Sequence, residues 1–176
     1  MLHGRIRRSD RAHALIKSID VAPAWAVPGV YAVLTASDIN NVPFGHGRDN
    51  TPLKGDRVRC VRDEVAAVAA ETEEAAAQAC RAIRVEYEDL PAVFDVEKAI
   101  QPNAPLIHNG TSNLRFTYDY VHGDVDKAAR ESAHVVAGKY SLHYVTHCCL
   151  GTSAVIAAFD SSGKLTVHSL TQVAFL

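Results

Sequence analysis

Four side chains of types that bind metal ions lie within seven residues of the sequence: His143, His147, Cys148 and Cys149. Thiolate and imidazole groups are zinc ligands, but a zinc site usually takes its ligands from two separated pairs. This region has the pattern of a strand ending in a turn, and on a strand the two adjacent cysteines would point to opposite faces. The pattern therefore favours small buried cysteines and ordinary polar histidines over a metal site.

Other residues of catalytic type lack the spacing that catalysis needs. His46 lies in a glycine-rich loop that matches neither common phosphate-binding pattern. Ser153 and Ser169 have no nucleophile-elbow sequence around them. Carboxylates occur as adjacent pairs such as Asp63-Glu64, which do not face each other as an acid and a base would, so a solvated face is expected. The sequence predicts no catalytic residue and no metal ligand.

The composition of the 176-residue chain is that of an ordinary globular protein, with 48% hydrophobic and 22% charged residues. A net charge of -2 gives no electrostatic case for nucleic acid or an anionic membrane surface. No apolar run approaches the roughly 20 residues that span a bilayer. Arginines interrupt the N-terminus where a signal peptide would be apolar, and four scattered cysteines make a poor disulfide framework. We expect a cytoplasmic protein that binds neither nucleic acid nor membrane.

The elements that would position any site are clearest in the first half of the chain. Val65–Ala70 is a short apolar run, typical of a strand covered on both faces. Thr72 can cap an alanine-rich helix whose first turn is acidic. Ile83–Glu88 then alternates apolar and charged side chains, as a half-buried strand does. Together these segments predict a β-α-β unit.

Similar patterns predict the remaining elements. Further strands are predicted at Leu2–Arg8, Ala14–Val21, Val30–Leu34, Leu114–His122, His134–His143, Ala154–Phe159 and Lys164–Ser169. Short helices or single helical turns are predicted at Pro23–Pro28, Thr35–Asn41, Val96–Ile100 and Gly123–Ser132. Val42–Gly55 should be an irregular loop. The last two strands should form a hairpin. The boundary between two structural units should lie near residues 102–112.

Several short motifs occur in order along the chain: Leu2–Ile6, Pro28–Val30, Val65–Thr72, Val85–Val93, Gly123–Asp126, Ala133–Val136, Leu165–Val167 and Thr171-Gln172. Together they resemble the N-terminal part of the large, molybdenum-bearing subunit of the xanthine dehydrogenase and aldehyde oxidase family. The resemblance runs essentially from end to end, with the motifs at the expected spacings. Val42–Gly45 and the Thr171–Val173 ending look most like the 4-hydroxybenzoyl-CoA reductase branch.

This resemblance implies an α+β fold. Residues 1–108 would form an α/β hammerhead domain, and residues 109–176 the incomplete start of a molybdopterin-binding domain. The complete enzyme would be an oxidoreductase that carries molybdopterin, with iron-sulfur clusters and FAD on partner domains or subunits. The glutamine of the family's Thr-Gln motif contacts the molybdenum centre, and Gln172 matches it. The implied partners are the remainder of the molybdenum-binding subunit and the iron-sulfur and flavin subunits, in an oligomer.

The sequence departs from the family pattern at two positions. Arg62 stands where the family usually has glycine, and Gly151 stands where a family motif is acidic. The chain also stops at Leu176, before the family's cofactor loop, pocket residues and base glutamate, and it has no iron-sulfur cysteine pattern. We therefore expect a scaffold that makes one contact with the metal centre. The alternative is a truncated, non-enzymatic module for interaction or oligomerisation, driven by uncovered strand edges and apolar faces.

Overall fold

The computed structural model describes residues 1–45, 47–110 and 112–171. The chain divides into two compact units, residues 1–117 and 118–176. The elements of the first unit are β1 (His3–Arg8), β2 (Ala14–Asp20), α1 (Ala22–Trp25), β3 (Val30–Leu34), β4 (Arg57–Val58), β5 (Glu64–Ala70), α2 (Glu73–Ala82), β6 (Arg84–Asp89) and α3 (Val96–Ala99). The elements described in the second unit are α4 (Val125–Glu131), β7 (Val155–Phe159) and β8 (Leu165–Ser169).

Two three-stranded sheets, in the orders β1-β5-β3 and β4-β2-β6, form the first unit. All of their pairings are antiparallel. The apolar strand β5 lies at the centre of its sheet and packs against α2. Because α2 presents small side chains such as Ala76 and Ala79, it approaches the sheet closely and buries both of them. The main core cluster includes Val33, Ala66 and Ile83.

The predicted β-α-β unit is confirmed in its elements and wrong in its topology. Both strands form, but β5 and β6 belong to different sheets, and α2 carries the chain from one sheet to the other. Strand β5 pairs with β1 and β3, while β6 pairs with β2. These partners come from the N-terminal third of the chain, so the local pattern of the segment could not identify them.

Three helix N-termini are capped by side chains. The Thr72 hydroxyl accepts the Ala75 N–H at 3.1 Å, which confirms the predicted cap of α2. Asp95 caps α3 and Asp124 caps α4 through their carboxylates. Each cap satisfies backbone donors that the first helical turn leaves without a partner.

Three local expectations require correction, and one strand was not predicted. Thr35–Asn41 forms a tight turn, closed by the Asp38 N–H donating to the Thr35 carbonyl at 3.1 Å, and not a helical turn. Strand β4 was not predicted, because two residues carry no periodic pattern. Leu114–His122 and His134–His143 are not strands. Their alternation is present, but among the described residues they have no ladder partner, and an extended segment becomes a strand only by pairing.

The second unit contains little interior. Its hairpin forms as predicted, with Val155 opposite Ser169 and Phe159 opposite Leu165. Every described residue from 118 to 171 is exposed. Since an isolated two-stranded hairpin is only marginally stable in water, the described residues of this unit contribute little stability of their own.

Candidate functional site

The predicted cofactor contact, Gln172, lies outside the described residues. The chain is described as far as Thr171, two residues beyond the end of β8 at Ser169. The turn of the β7–β8 hairpin is held by Asp160, whose carboxylate accepts the backbone N–H groups of Ser162 at 2.8 Å and Lys164 at 3.0 Å. Hydrogen bonds to the carboxylate, led by the one from Ser162, lower the pKa of Asp160. The hairpin thus has a hydrogen-bonded turn, and its second strand ends two residues before Thr171.

The two faces of this hairpin differ in polarity. Residues directly opposite in an antiparallel pair share a face. One face therefore carries Val155, Ala157, Phe159, Leu165, Val167 and Ser169. The other carries Ile156, Ala158, Thr166 and His168. The first face is almost entirely apolar, yet Phe159 is 73% and Val167 52% exposed.

A shallow cavity of about 480 Å³ lies along the hairpin. His168 and Ser169 are its polar lining residues, and the rest of the lining is apolar. A cofactor that carries a phosphate and a metal needs convergent polar groups. The described residues of this unit supply neither such groups nor an enclosure, so they do not by themselves fit molybdopterin.

The histidine and cysteine cluster is not on a strand. Cys148 has φ +48°, in the left-handed region, so the side-chain alternation expected for a strand does not apply there. The premise for placing the two cysteines on opposite faces is therefore absent. The expectation that they are buried is wrong, because both are exposed. In residues 1–45, 47–110 and 112–171, no three His, Cys, Asp or Glu side chains are placed to hold a metal ion. His46 lies outside the described residues.

The Asp63-Glu64 pair belongs to a partly buried ion-pair cluster, and not to a solvated face. The Lys54 ammonium is 3.1 Å from a Glu64 carboxylate oxygen and 3.9 Å from Asp63, and the Lys54 side chain is 5% exposed. Glu64 also accepts a hydrogen bond from Arg8. Lys54 was missed because nothing in a loop sequence indicates burial of a lysine, although a charge so deeply buried is almost always paired.

A charged cleft of about 420 Å³ adjoins this cluster in the first unit. Its lining includes Arg48, Lys54, Arg59, Asp63 and His108. The Asp63 carboxylate accepts the Arg59 backbone N–H at 2.6 Å, and the Arg59 guanidinium donates to the Ile107 carbonyl at 3.1 Å. Burial, and then the nearby Arg59 charge, lower the pKa of His108. Lys54, Arg59 and Asp63 are paired with one another or with backbone groups. These contacts stabilise the loops around β4.

Beside this cleft, the Cys60 side chain is kept in its protonated thiol form. Its thiol donates to the Asp63 carboxylate, with Sγ and Oδ1 3.2 Å apart. Burial, the hydrogen bond to Asp63 and the Asp63 charge raise the pKa of Cys60 to about 11. A thiol of that pKa is a poor nucleophile at neutral pH.

The two departures from the family pattern have different structural settings. Arg62 has φ +79°, a conformation that glycine adopts without strain. It is the third residue of a turn closed by the Asp63 N–H donating to the Cys60 carbonyl at 3.3 Å, which is the glycine position of a type II turn. Gly151, in contrast, has open space around the position of an added Cβ.

Comparison with known proteins covers most of the chain. Residues 1–91 match the family model described as aldehyde oxidase and xanthine dehydrogenase, a/b hammerhead domain. Residues 107–176 match the model described as molybdopterin cofactor-binding domain. Both matches agree with the family and the fold class expected from the motifs, whereas the predicted domain bounds of 1–108 and 109–176 remain a prediction.

Relatives and solved structures match almost the full chain. The nicotinate dehydrogenase large molybdopterin subunit of Eubacterium barkeri is 37% identical, over 98% of this chain and 41% of its own length. The carbon monoxide dehydrogenase large chain of Afipia carboxidovorans is 34% identical, over 98% of this chain and 24% of its own length. The aldehyde oxidoreductase of Desulfovibrio gigas superposes with a TM-score of 0.82 and 26% identity, over 96% of this chain and 20% of its own.

The chain thus spans less than half the length of these relatives. In the described part of the chain, no helix is long and apolar enough to cross a membrane.

Proposed function

We propose, because this chain belongs to the aldehyde oxidase and xanthine dehydrogenase family, that it forms the N-terminal part of the molybdopterin-binding subunit of a molybdenum-dependent oxidoreductase. Its role there is structural. The first unit is a self-contained scaffold with its own core. The second unit presents the hairpin that leads to Gln172.

The apolar hairpin face carries this proposal. Phe159 and Val167 lie on that face and are largely exposed in this chain. Apolar surface of this kind is covered in stable proteins, because each Å² removed from water contributes about 25 cal/mol. The relatives matched along the whole chain are much longer, and we propose that the corresponding polypeptide covers this face.

Gln172 is proposed as the one contact of the chain with the cofactor. A side-chain amide can donate a hydrogen bond to an oxo or sulfido ligand of a metal centre and so orient it. When bound, the molybdenum cofactor supplies the redox chemistry. We further propose that the enzyme is oligomeric and cytoplasmic, and that its partners carry the iron-sulfur clusters and the flavin.

We propose an aromatic thioester as the substrate class. Val42–Gly45 and the Thr171–Val173 ending resemble the 4-hydroxybenzoyl-CoA reductase branch. These two short motifs carry the proposal of the substrate class.

Co-expression tests the scaffold role. The chain would be produced with a tag, together with the untagged polypeptide that corresponds to the remainder of a relative's large subunit. Co-purification, molybdenum content and dye-linked oxidation would be measured. Val167→Asp places a charge on the apolar face, whereas Thr166→Asp places the same charge on the opposite face, one residue away. We expect the first variant to lose the partner and the second to retain it.

Two results would overturn the proposal. One is a complete failure of the wild-type chain to co-purify with the remainder or to retain molybdenum. The other is an equal effect of both aspartate variants, since the apolar face would then not be the docking surface. If the wild-type chain instead self-associates and Val167→Asp alone abolishes this, the alternative of a non-enzymatic oligomerisation module is favoured.

A further inference from the structure

Cys148 and Cys149 are the pair of reactive groups that the proposed scaffold role does not use. They are consecutive, both are free thiols, and both are exposed. The other two cysteines differ from them, because Cys80 is buried and Cys60 is held by Asp63. Two exposed thiols on consecutive residues can act on the same ligand atom.

The backbone between the two thiols is not extended. Cys148 has φ +48°, and its N–H lies 3.4 Å from the Thr146 hydroxyl, to which it donates. The pleat of a strand would hold adjacent side chains on opposite faces. Here the left-handed conformation of Cys148 interrupts that pleat, so the pleat does not hold the two thiols on opposite faces.

The spacing of the cysteines determines which product can form. Consecutive Cα atoms across a trans peptide are about 3.8 Å apart, closer than the roughly 4.4–6.8 Å of ordinary disulfides. A direct S–S bond is therefore strained, whereas a single bridging atom lengthens the path between the two sulfurs. Soft thiolate ligands select thiophilic centres. Among the described residues, no further His, Cys, Asp or Glu side chain joins the pair as a third ligand. The bound atom must therefore be one that needs only two sulfur ligands from the protein.

We propose that Cys148 and Cys149 form a dithiol site for trivalent arsenicals and similar thiophilic centres. Hydrated phenylarsine oxide carries two As–OH groups. Each cysteine forms one As–S bond as one As–O bond breaks, and the thiol proton leaves with the hydroxide as water. Two waters are released, and neither arsenic nor sulfur changes its oxidation state.

Thiol titration with phenylarsine oxide tests this site in the 176-residue chain. One equivalent of the arsenical should protect two thiols from a colorimetric disulfide reagent and add one phenylarsenic group by intact mass. Cys148→Ser and Cys149→Ser each leave a single thiol at the site, so apparent affinity should fall on the order of 100-fold, the loss of one arm of a bivalent ligand. Cys60→Ser is the matched control and should bind like the wild type.

Reversal separates the dithiol complex from adducts of single thiols. A large excess of a monothiol should leave the wild-type complex intact, while a small excess of a dithiol should remove the arsenical. Circular dichroism shows that each serine variant is folded. Retention of full affinity in either Cys148→Ser or Cys149→Ser would overturn the proposal, as would protection of only one thiol in the wild type. Neither result depends on molybdenum or on a partner, so the proposed function is tested separately.

Discussion

The Lys54 ammonium lies 3.1 Å from the Glu64 carboxylate, with the Lys54 side chain 5% and the Glu64 side chain 32% exposed. Lys54 also donates to the Thr51 carbonyl at 2.9 Å, and its backbone N–H donates to the Glu64 carbonyl at 2.7 Å. Lys54 thus links the loop before β4 to the start of β5, a strand that contributes to the core of the first unit.

Removing one partner of this pair should destabilise the first unit strongly. Among the described residues, Glu64→Gln leaves the more distant Asp63 as the one carboxylate paired with the buried Lys54 ammonium, and breaking a buried pair costs about 3 kcal/mol. Lys54→Met should cost less, because Arg8 still pairs with Glu64. Urea unfolding of both variants and of the double variant gives the coupling energy. Additive single effects would show that the two side chains do not interact.

Acid should remove the contribution of Glu64. Burial acts to raise its pKa, but hydrogen bonds from Lys54 and Arg8 and the Lys54 charge outweigh it, so the pKa lies below the ordinary 4.5. The unfolded chain therefore takes up this proton first as the pH falls, and the stabilisation present above pH 4.5 is lost as the pH falls through the lowered pKa. The stability difference between wild type and Glu64→Gln should shrink over that range. A difference independent of pH would contradict this.

Replacing Arg62 with glycine should stabilise the protein. The left-handed conformation costs an ordinary L-residue roughly 1–2 kcal/mol, and the greater freedom of glycine in the unfolded chain offsets part of that gain. A net increase of about 0.5–1 kcal/mol in the free energy of unfolding is expected. Arg62→Ala is the control, since it removes the exposed side chain and keeps the strain. Equal stabilisation by both variants would assign the effect to the guanidinium.

The sequence was informative where structure is decided locally. The Thr72 cap, the apolar β5 and the β7–β8 hairpin each depend on residues close together in the sequence, and each was predicted. The sheet membership of β5 and β6 depends on partners many residues away. For that reason the correct elements were joined into an incorrect topology.

The same limit explains the errors at the candidate site. Leu114–His122 alternates like a strand, but pairing needs a neighbour that the described chain does not supply. The burial of Lys54 follows from tertiary packing around Asp63 and Glu64. The departure at Arg62 was visible only against the family pattern, and the structure adds its physical meaning, a left-handed turn residue.

His108 should make the first unit less stable in mild acid. Burial and the Arg59 charge hold its pKa below 6.5 in the folded protein. As the pH falls below 6.5, the unfolded chain therefore binds the proton more readily, and the free energy of unfolding decreases. His108→Gln should reduce this decrease between about pH 7 and pH 5. Urea midpoints across this range measure it, and an unchanged slope would exclude His108 as the cause.

Asp63 should control the reactivity of Cys60. Burial and the Asp63 carboxylate raise the Cys60 pKa to about 11, so very little thiolate exists at neutral pH and alkylation by iodoacetamide should be slow. Asp63→Asn removes the negative charge while an amide oxygen can still accept the Arg59 N–H. Because only the thiolate attacks, the alkylation rate of Cys60 should rise, by on the order of tenfold for each unit that the pKa falls. Mass spectrometry of the Cys60 peptide follows the rate, with Cys148 in the same sample as reference. A selective increase at Cys60 supports the interaction with Asp63, whereas a parallel increase at Cys80 would indicate unfolding of the core instead.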